Sequence, residues 1–471
     1  MSSNGDDAIL ERVPLQTEAG NVKQRLAGHL TARDAFAMVI SNIIGSGIFV
    51  TPGLVYVQTG SPCGAIVAWV LAGIISLLGA LCYAELGTGQ VDAGAESAYF
   101  QKAFNSDVAF TFVFVLFMVL APGSVAIEST VFARYLLAVF GVQTRWAVQA
   151  AAVSLIIVLG AVNVQASAKS AMIQMVMVVF KLCAVVVVAA GALFASPGVR
   201  NLSALGSSQH CFAGTNPSTF ALGLIACLFS YSGFNSVCSL SEEFATPQRD
   251  LPVGIVAGMV VVLVVYLLAN LSFLITLPAS VLSNSKSVGY DFALIVGGHT
   301  FADVLSVMVA MTTMGAAHST IFSASRVVFA AGRDGLFFEW FAYVNDAGTP
   351  SNAVLAITAW SCILVVAGSN VAELIDYAGV AGWFYAGLAA LALIRLRRGP
   401  GSPGQFRVPW YPLVPVVSAT ASAALVASSI VEDFWPSVAV ALIIAAAFAV
   451  HYRRRRAQQA SSDIKADNSV Q

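Results

Sequence analysis

Two stretches of this sequence set glycine and hydroxyl residues inside otherwise apolar runs: Asn42-Ile43-Ile44-Gly45-Ser46-Gly47-Ile48-Phe49 and Phe229-Ser230-Tyr231-Ser232-Gly233-Phe234-Asn235. A glycine in a helix interior costs about 1 kcal/mol relative to alanine. Backbone that unwinds at membrane depth is tolerated only where it lines a cavity, because lipid offers its amides and carbonyls no partners. The chemistry such breaks offer is ion recognition without covalent steps. The N–H groups of Ser46 and Gly47 begin a half-helix whose positive end attracts a carboxylate. The carbonyls of Ile43 and Phe229, with Ser232, can receive an ammonium, so the two breaks together suit a zwitterion. Gly45 and Gly47 alone would fit a small-residue packing face equally well. The second interruption decides between the readings, since matched breaks five spans apart point to an inverted-repeat transporter with a midplane site.

Of the charged residues inside apolar runs, two stand near mid-span. Lys181 falls about eleven residues into its span, near the bilayer centre, where snorkelling to the interface is strained and an intramembrane charge is a functional candidate. Glu128 sits midway along the third span, where an intramembrane carboxylate is likewise a functional candidate. The alternative is structural: it pairs with Arg134 or stays protonated, since an unpaired ion there costs at least roughly 2.5 kcal/mol. The i+6 spacing to Arg134 is geometrically poor. His318, Ser319, Thr320 and Ser323 read more readily as polar helix contacts than as site residues. Tyr83 and Glu85 read as scaffold before gate.

The elements that must position these groups are membrane helices. The 471 residues are 58% hydrophobic and 10% charged, a balance that a soluble core cannot absorb. Runs long enough to cross about 30 Å of hydrocarbon lie near 34–58, 64–88, 107–139, 146–162, 170–195, 217–240, 252–277, 300–332, 352–369, 373–396, 410–430 and 434–452. The fold class is therefore all-α integral membrane with about twelve transmembrane helices. It divides into a first repeat at about 34–195, a second at about 217–396 and two extra helices at about 410–452, within a transporter domain of 31–452. The tails 1–30 and 453–471 are polar and read as disordered. With both tails in the cytoplasm, roughly 18 of the 23 Lys and Arg residues fall on cytoplasmic segments, Arg395, Arg397, Arg398 and Arg453 to Arg456 among them, which fixes the expected orientation. No removable signal peptide is evident.

Further residues carry a family resemblance. Ile43-Ile44-Gly45-Ser46-Gly47-Ile48-Phe49-Val50, Cys82-Tyr83-Ala84-Glu85-Leu86-Gly87, Glu242-Glu243 with Pro247, Arg249 and Leu251-Pro252, and Ser325-Arg326 followed by Gly332-Arg333-Asp334-Gly335 resemble the amino acid/polyamine/organocation superfamily. Within it they resemble the L-type amino acid transporter light chains. The likeness covers most of residues 30–430. It implies the twelve-helix architecture with discontinuous helices 1 and 6, sodium-independent exchange of amino acids, and Phe229 as an aromatic gate over the substrate. It also implies that Lys181 stands in for a sodium ion between helices 1 and 8. Glu128 matches a pocket residue that is apolar in large-neutral carriers, whereas Asn235 matches neutral-preferring relatives. Trp383 matches a family aromatic, while Ala378 and Val380 replace aromatics and leave a roomier pocket. Large neutral amino acids are the expected substrates, with cationic amino acids or polyamines read by Glu128 as the alternative. The plasma membrane is the location that the resemblance implies.

The light chains bind a glycoprotein heavy chain through a cysteine between helices 3 and 4, and residues 140–145 contain none. A covalent heavy chain is not expected, and a noncovalent partner stays open. Cys63 and Cys211 both fall on outer segments, either paired or as free thiols. Besides its substrate, the expected partner is membrane lipid. The net charge of −1 gives no reason to expect nucleic acid. Neither a metal nor another cofactor is expected, and no enzyme activity: His29, His210, His299, His318 and His451 form no ligand spacing. A non-transporting amino acid sensor would want a large cytosolic tail. A channel would show rings of polar residues along whole helices instead of paired breaks.

Overall fold

In the computed structural model the described residues are 30–165, 167–194, 215–285, 287–368, 371–398, 406–432 and 434–468. Cys211 and the Asn201-Leu202-Ser203 glycosylation sequon lie outside them. Cys63 is disulfide-bonded, so it is not one of two free thiols.

The chain runs through α1 (Ala32–Ile43), α2 (Gly47–Thr59), α3 (Pro62–Gly89), α4 (Glu96–Ala103), α5 (Ser106–Ala138), α6 (Arg145–Gln165), α7 (Ser167–Phe194) and α8 (Pro217–Ser230). It continues as a 3₁₀ turn, Ser236–Glu243, then α9 (Pro247–Thr276), α10 (Val288–Arg333), α11 (Ser351–Val366), α12 (Val371–Arg398), α13 (Leu413–Glu432) and α14 (Phe434–Asn468). Among the described residues nine helices are long and apolar enough to cross a membrane, and the bent pair α1 and α2 makes a tenth span. Two shorter apolar helices, Thr219–Ser230 and Ser351–Val366, fall where the sixth and ninth spans are expected. Gly298, at φ +72°, is a non-helical kink within α10: a helix from Val288 ends at it, and the eighth span proper runs from it to Arg333, close to its apolar run.

Local chemistry sets the helix ends. Thr31 and Asp34 form a capping box at the start of α1, Ser61 caps α3 just before Pro62, and Gly60 closes α2 with φ +71°. Within α5, Pro122 has no N–H to give to the carbonyl four residues back. A π-helical stretch, Leu116–Leu120, precedes it, the usual accommodation at an irregular turn. The indole N–H of Trp360 donates to the Met118 carbonyl at 2.9 Å.

Each of the first four spans packs on the span five further along: α2 on α8, α3 on α9, α5 on α10 and α6 on α11. Two halves related by a pseudo-twofold axis would produce this pairing. α7 bridges the two groups, touching α1, α9 and α10. Ion pairs gather at the Arg-rich end of the bundle. Arg326 bonds Glu243 at 2.6 Å, Arg333 holds Glu242 at 3.1 Å, and Arg397 grips Glu85, whose carboxylate also accepts from the Val408 amide. Glu85 is thus a scaffold residue.

Candidate functional site

Both interruptions fold as breaks. α1 stops at Ile43, Ile44 turns to φ −76°, ψ 96°, and α2 restarts at Gly47 after a bend of 48°. α8 stops at Ser230, and Gly233, at φ +107°, carries the chain toward the 3₁₀ turn. The half-helices cross at small residues. A Cβ on Gly47 would meet the Ser230 Cα at 2.9 Å, and one on Gly233 would meet the Asn42 carbonyl oxygen at 2.9 Å. The Thr51 and Ser230 hydroxyls share a hydrogen bond of 2.8 Å across the crossing. Behind it Tyr231 packs on Trp69 of α3 and Tyr266 of α9, with ring centroids 5.7 and 5.1 Å away.

The first break is held at both ends by charge. Lys181, fully buried on α7, donates from Nζ to the Ile44 carbonyl at 2.7 Å and to the Ser41 carbonyl, the negative end of α1. Glu128 of α5 accepts from the Ser46 amide at 3.0 and 3.2 Å and from the Ser46 hydroxyl at 3.0 Å, the positive end of α2. Each charge sits where the helix dipole favours it. The stem of Lys181 passes α10, where a Cβ on Gly315 would meet Lys181 Cε at 2.9 Å. The ammonium therefore stands between spans 1 and 8. Gly45 leaves room for the carboxylate, since a Cβ there would come within 2.5 Å of Glu128 Oε1.

A cavity of about 220 Å³ opens between the two breaks. Ile43, Gly47, Phe229, Ser232, Asn235, Glu128 and Trp383 line it together, while Ser46 and Lys181 act from behind the wall. Several groups expected to meet the substrate already have partners within the protein. The Ser46 amide is not free, because Glu128 occupies it. The Phe229 carbonyl accepts from the Ser232 hydroxyl at 2.6 Å, and the Ile43 carbonyl from the Tyr266 hydroxyl at 3.0 Å. Glu128 makes no ion pair with Arg134 among the described residues; it turns to the break instead.

Thr320 and Ser323 of α10 line the cavity, whereas His318 turns away to bond Asn163 of α6 at 2.9 Å. Sequence reasoning passes over Glu96 and underrates Tyr83, both in the lining. Glu96 accepts from the Asn235 amide, so Asn235 is tethered across the cavity to α4. The wall near Trp383 is made of Ala121, Ala378, Gly379, Gly382 and Ala386. A Cβ on Gly379 would meet nothing within 4 Å, so this glycine leaves open space that packing does not demand.

The profile of the amino acid permease family matches residues 30–449. The chain is 31% identical over 368 residues to the mouse b(0,+)-type amino acid transporter 1, covering 76% of this chain and 74% of the relative. It is 29% identical over 427 residues to the human cystine/glutamate transporter, covering 88% and 82%, and 29% identical over 415 residues to the mouse Asc-type amino acid transporter 1, covering 86% and 75%.

Proposed function

The chain belongs to the amino acid permease family, and from that premise we propose that this multi-pass membrane protein exchanges amino acids by alternating access without sodium. One observation carries the reading: the cavity lies between two mid-span breaks, and a buried ammonium, Lys181, already fills the place of a cation beside the first. Broken helices present bare backbone to a zwitterion, and two packed groups of helices can rock about it. Spans 1 and 6 form the moving part, against the scaffold of α5, α6, α10 and α11. The Arg-rich end supports a cytoplasmic position for both termini, and the family resemblance supports the plasma membrane.

Large neutral amino acids are the first choice of substrate. The small-residue wall around Gly379 and Gly382 gives room for a bulky side chain, and the Glu128 carboxylate is engaged by Ser46. A cationic substrate is the second reading, because two carboxylates and no Lys or Arg line the cavity among the described residues. The test is uptake of labelled leucine and arginine into sodium-free proteoliposomes preloaded with either. Leucine-for-leucine exchange without arginine flux is the expected result. Arginine exchange would select the second reading, and flux of neither would sink both.

The ion pairs at the Arg-rich end link span 6 to span 8 and keep that side shut. Losing a charge-assisted pair costs about 1.5 to 3 kcal/mol. Arg333→Ala is therefore expected to speed maleimide labelling of a Ser239→Cys reporter, on the cavity wall, by about tenfold from that side. Unchanged labelling would remove Arg333 from the gate.

A further inference from the structure

The two ends of the first break are unequal in what they leave for a substrate. At the ammonium subsite the Ile43 carbonyl accepts from Tyr266 and keeps its second lone pair for a substrate. At the carboxylate subsite, formed by the amides of Ser46 and Gly47, the protein's own carboxylate, Glu128, takes Ser46 with contacts of 3.0 to 3.2 Å, beside Gly47 on the cavity wall. The Ser46 amide donates to both carboxylate oxygens, and its hydroxyl lies within hydrogen-bonding distance of Oε1, a setting that suits an ionised carboxylate in the empty site. A zwitterion that brings a second carboxylate to the same half-helix sets two like charges within hydrogen-bonding distance of one another, and two such carboxylates do not both stay ionised.

We propose that Glu128 is a proton-binding site that makes this carrier take up one proton with each amino acid it binds. The inference rests on the amino acid reading above. When the substrate carboxylate arrives, the Glu128 carboxylate takes a proton from water on the open side of the cavity, which its side chain lines. The neutral acid swings off the Ser46 amide and donates its new O–H to the substrate carboxylate, which accepts from Ser46 in its place. After the helices rock and the substrate leaves, the proton returns to water on the other side and the carboxylate closes again on Ser46. The loaded site thus carries one positive charge more than the empty one.

The surrounding groups agree with this assignment of the proton. Lys181 of α7 faces the same break from its other end and has its ammonium bonded to two carbonyls. Tyr266 of α9 gives its hydroxyl to Ile43, and His318 of α10 bonds Asn163 outside the lining. Tyr83 of α3 and Tyr385 of α12 lie on the cavity wall, as does Glu96 of α4, which is held by Asn235. α6 and α11 bring no residue to the lining. Glu128 is the carboxylate that meets the substrate's own.

The test is calorimetric binding of leucine and of arginine to the purified protein near pH 8, in two buffers of different ionisation heat. The expected uptake is about one proton per amino acid bound, and none for isoamylamine, which lacks the carboxylate. Apparent affinity should weaken about tenfold per pH unit once Glu128 is ionised in the empty site, a readout that needs no variant. Glu128→Gln, which keeps the shape of the neutral acid, should bind without proton uptake and with a flat pH profile. Binding without proton uptake by the wild type, or uptake that persists in Glu128→Gln, overturns the assignment. Failure of both amino acids to bind overturns the amino acid reading, and this inference with it, and is a distinct outcome from binding without a proton.

Discussion

Replacing Lys181 by methionine should lower the exchange rate by about two orders of magnitude. The methionine keeps the length and apolar stem that pack beside Gly315 and Met177 and removes only the ammonium. Two charge-assisted hydrogen bonds, to the Ser41 and Ile44 carbonyls, then vanish, and each is worth about 1.5 to 3 kcal/mol. The carbonyls end a half-helix in a setting without water to replace the donor. A loss near 3 kcal/mol corresponds to roughly 100-fold. The break would also retain Glu128 without its counter-charge, which for a buried pair is the costly half of the removal. The double variant Lys181→Met, Glu128→Gln should for that reason melt at a higher temperature than Lys181→Met alone. Strictly additive melting shifts would show that the two charges act independently on the break, and near-normal exchange by Lys181→Met would refute the cation role itself.

Much of this was open to a reader of the residues, for reasons that can be named. Gly45, Gly47 and Gly233 stand out because glycine and serine are costly in the middle of an apolar helix, and each break falls where it is expected. Lys181 stands out because no interface is within reach of its side chain. What could not be read is pairing over distance. Nothing local ties Glu128 to Ser46, 82 residues earlier, and the poor i+6 spacing to Arg134 only says what Glu128 does not do. The tether from Asn235 to Glu96 spans 139 residues, and Glu96 lies on a short polar helix that hydropathy passes over. The start of the eighth span, by contrast, is set locally: Gly298, at φ +72°, interrupts the helix just before the apolar run that begins near 300. Polar residues on one span also divide by face: His318 is satisfied by Asn163 of another helix, as its reading as a helix contact expects, whereas Thr320 and Ser323, read the same way, line the cavity.

Gly233→Ala should nearly abolish exchange, because the position fails a side chain twice. At φ +107° the backbone is one that an L-residue adopts only with strain, about 1 to 3 kcal/mol. The added methyl would then lie 2.9 Å from the Asn42 carbonyl oxygen and 3.0 Å from its carbon. Those atoms are backbone at the end of α1, so relief requires the two broken spans to part, and overpacking of this kind costs about 1 to 3 kcal/mol more. Both terms fall on a close crossing of spans 1 and 6 beside the cavity, and the site they form should distort before the outer helices separate. Flux per unit of monodisperse protein should fall by at least about 100-fold, with a lowered melting temperature. Gly123→Ala is the matched control, since a Cβ at that buried helical glycine meets nothing within 4 Å, and alanine is the better helix former. It should melt at or slightly above the wild-type temperature and exchange normally. If Gly233→Ala matched it, the close crossing of the two breaks would not be what shapes the site.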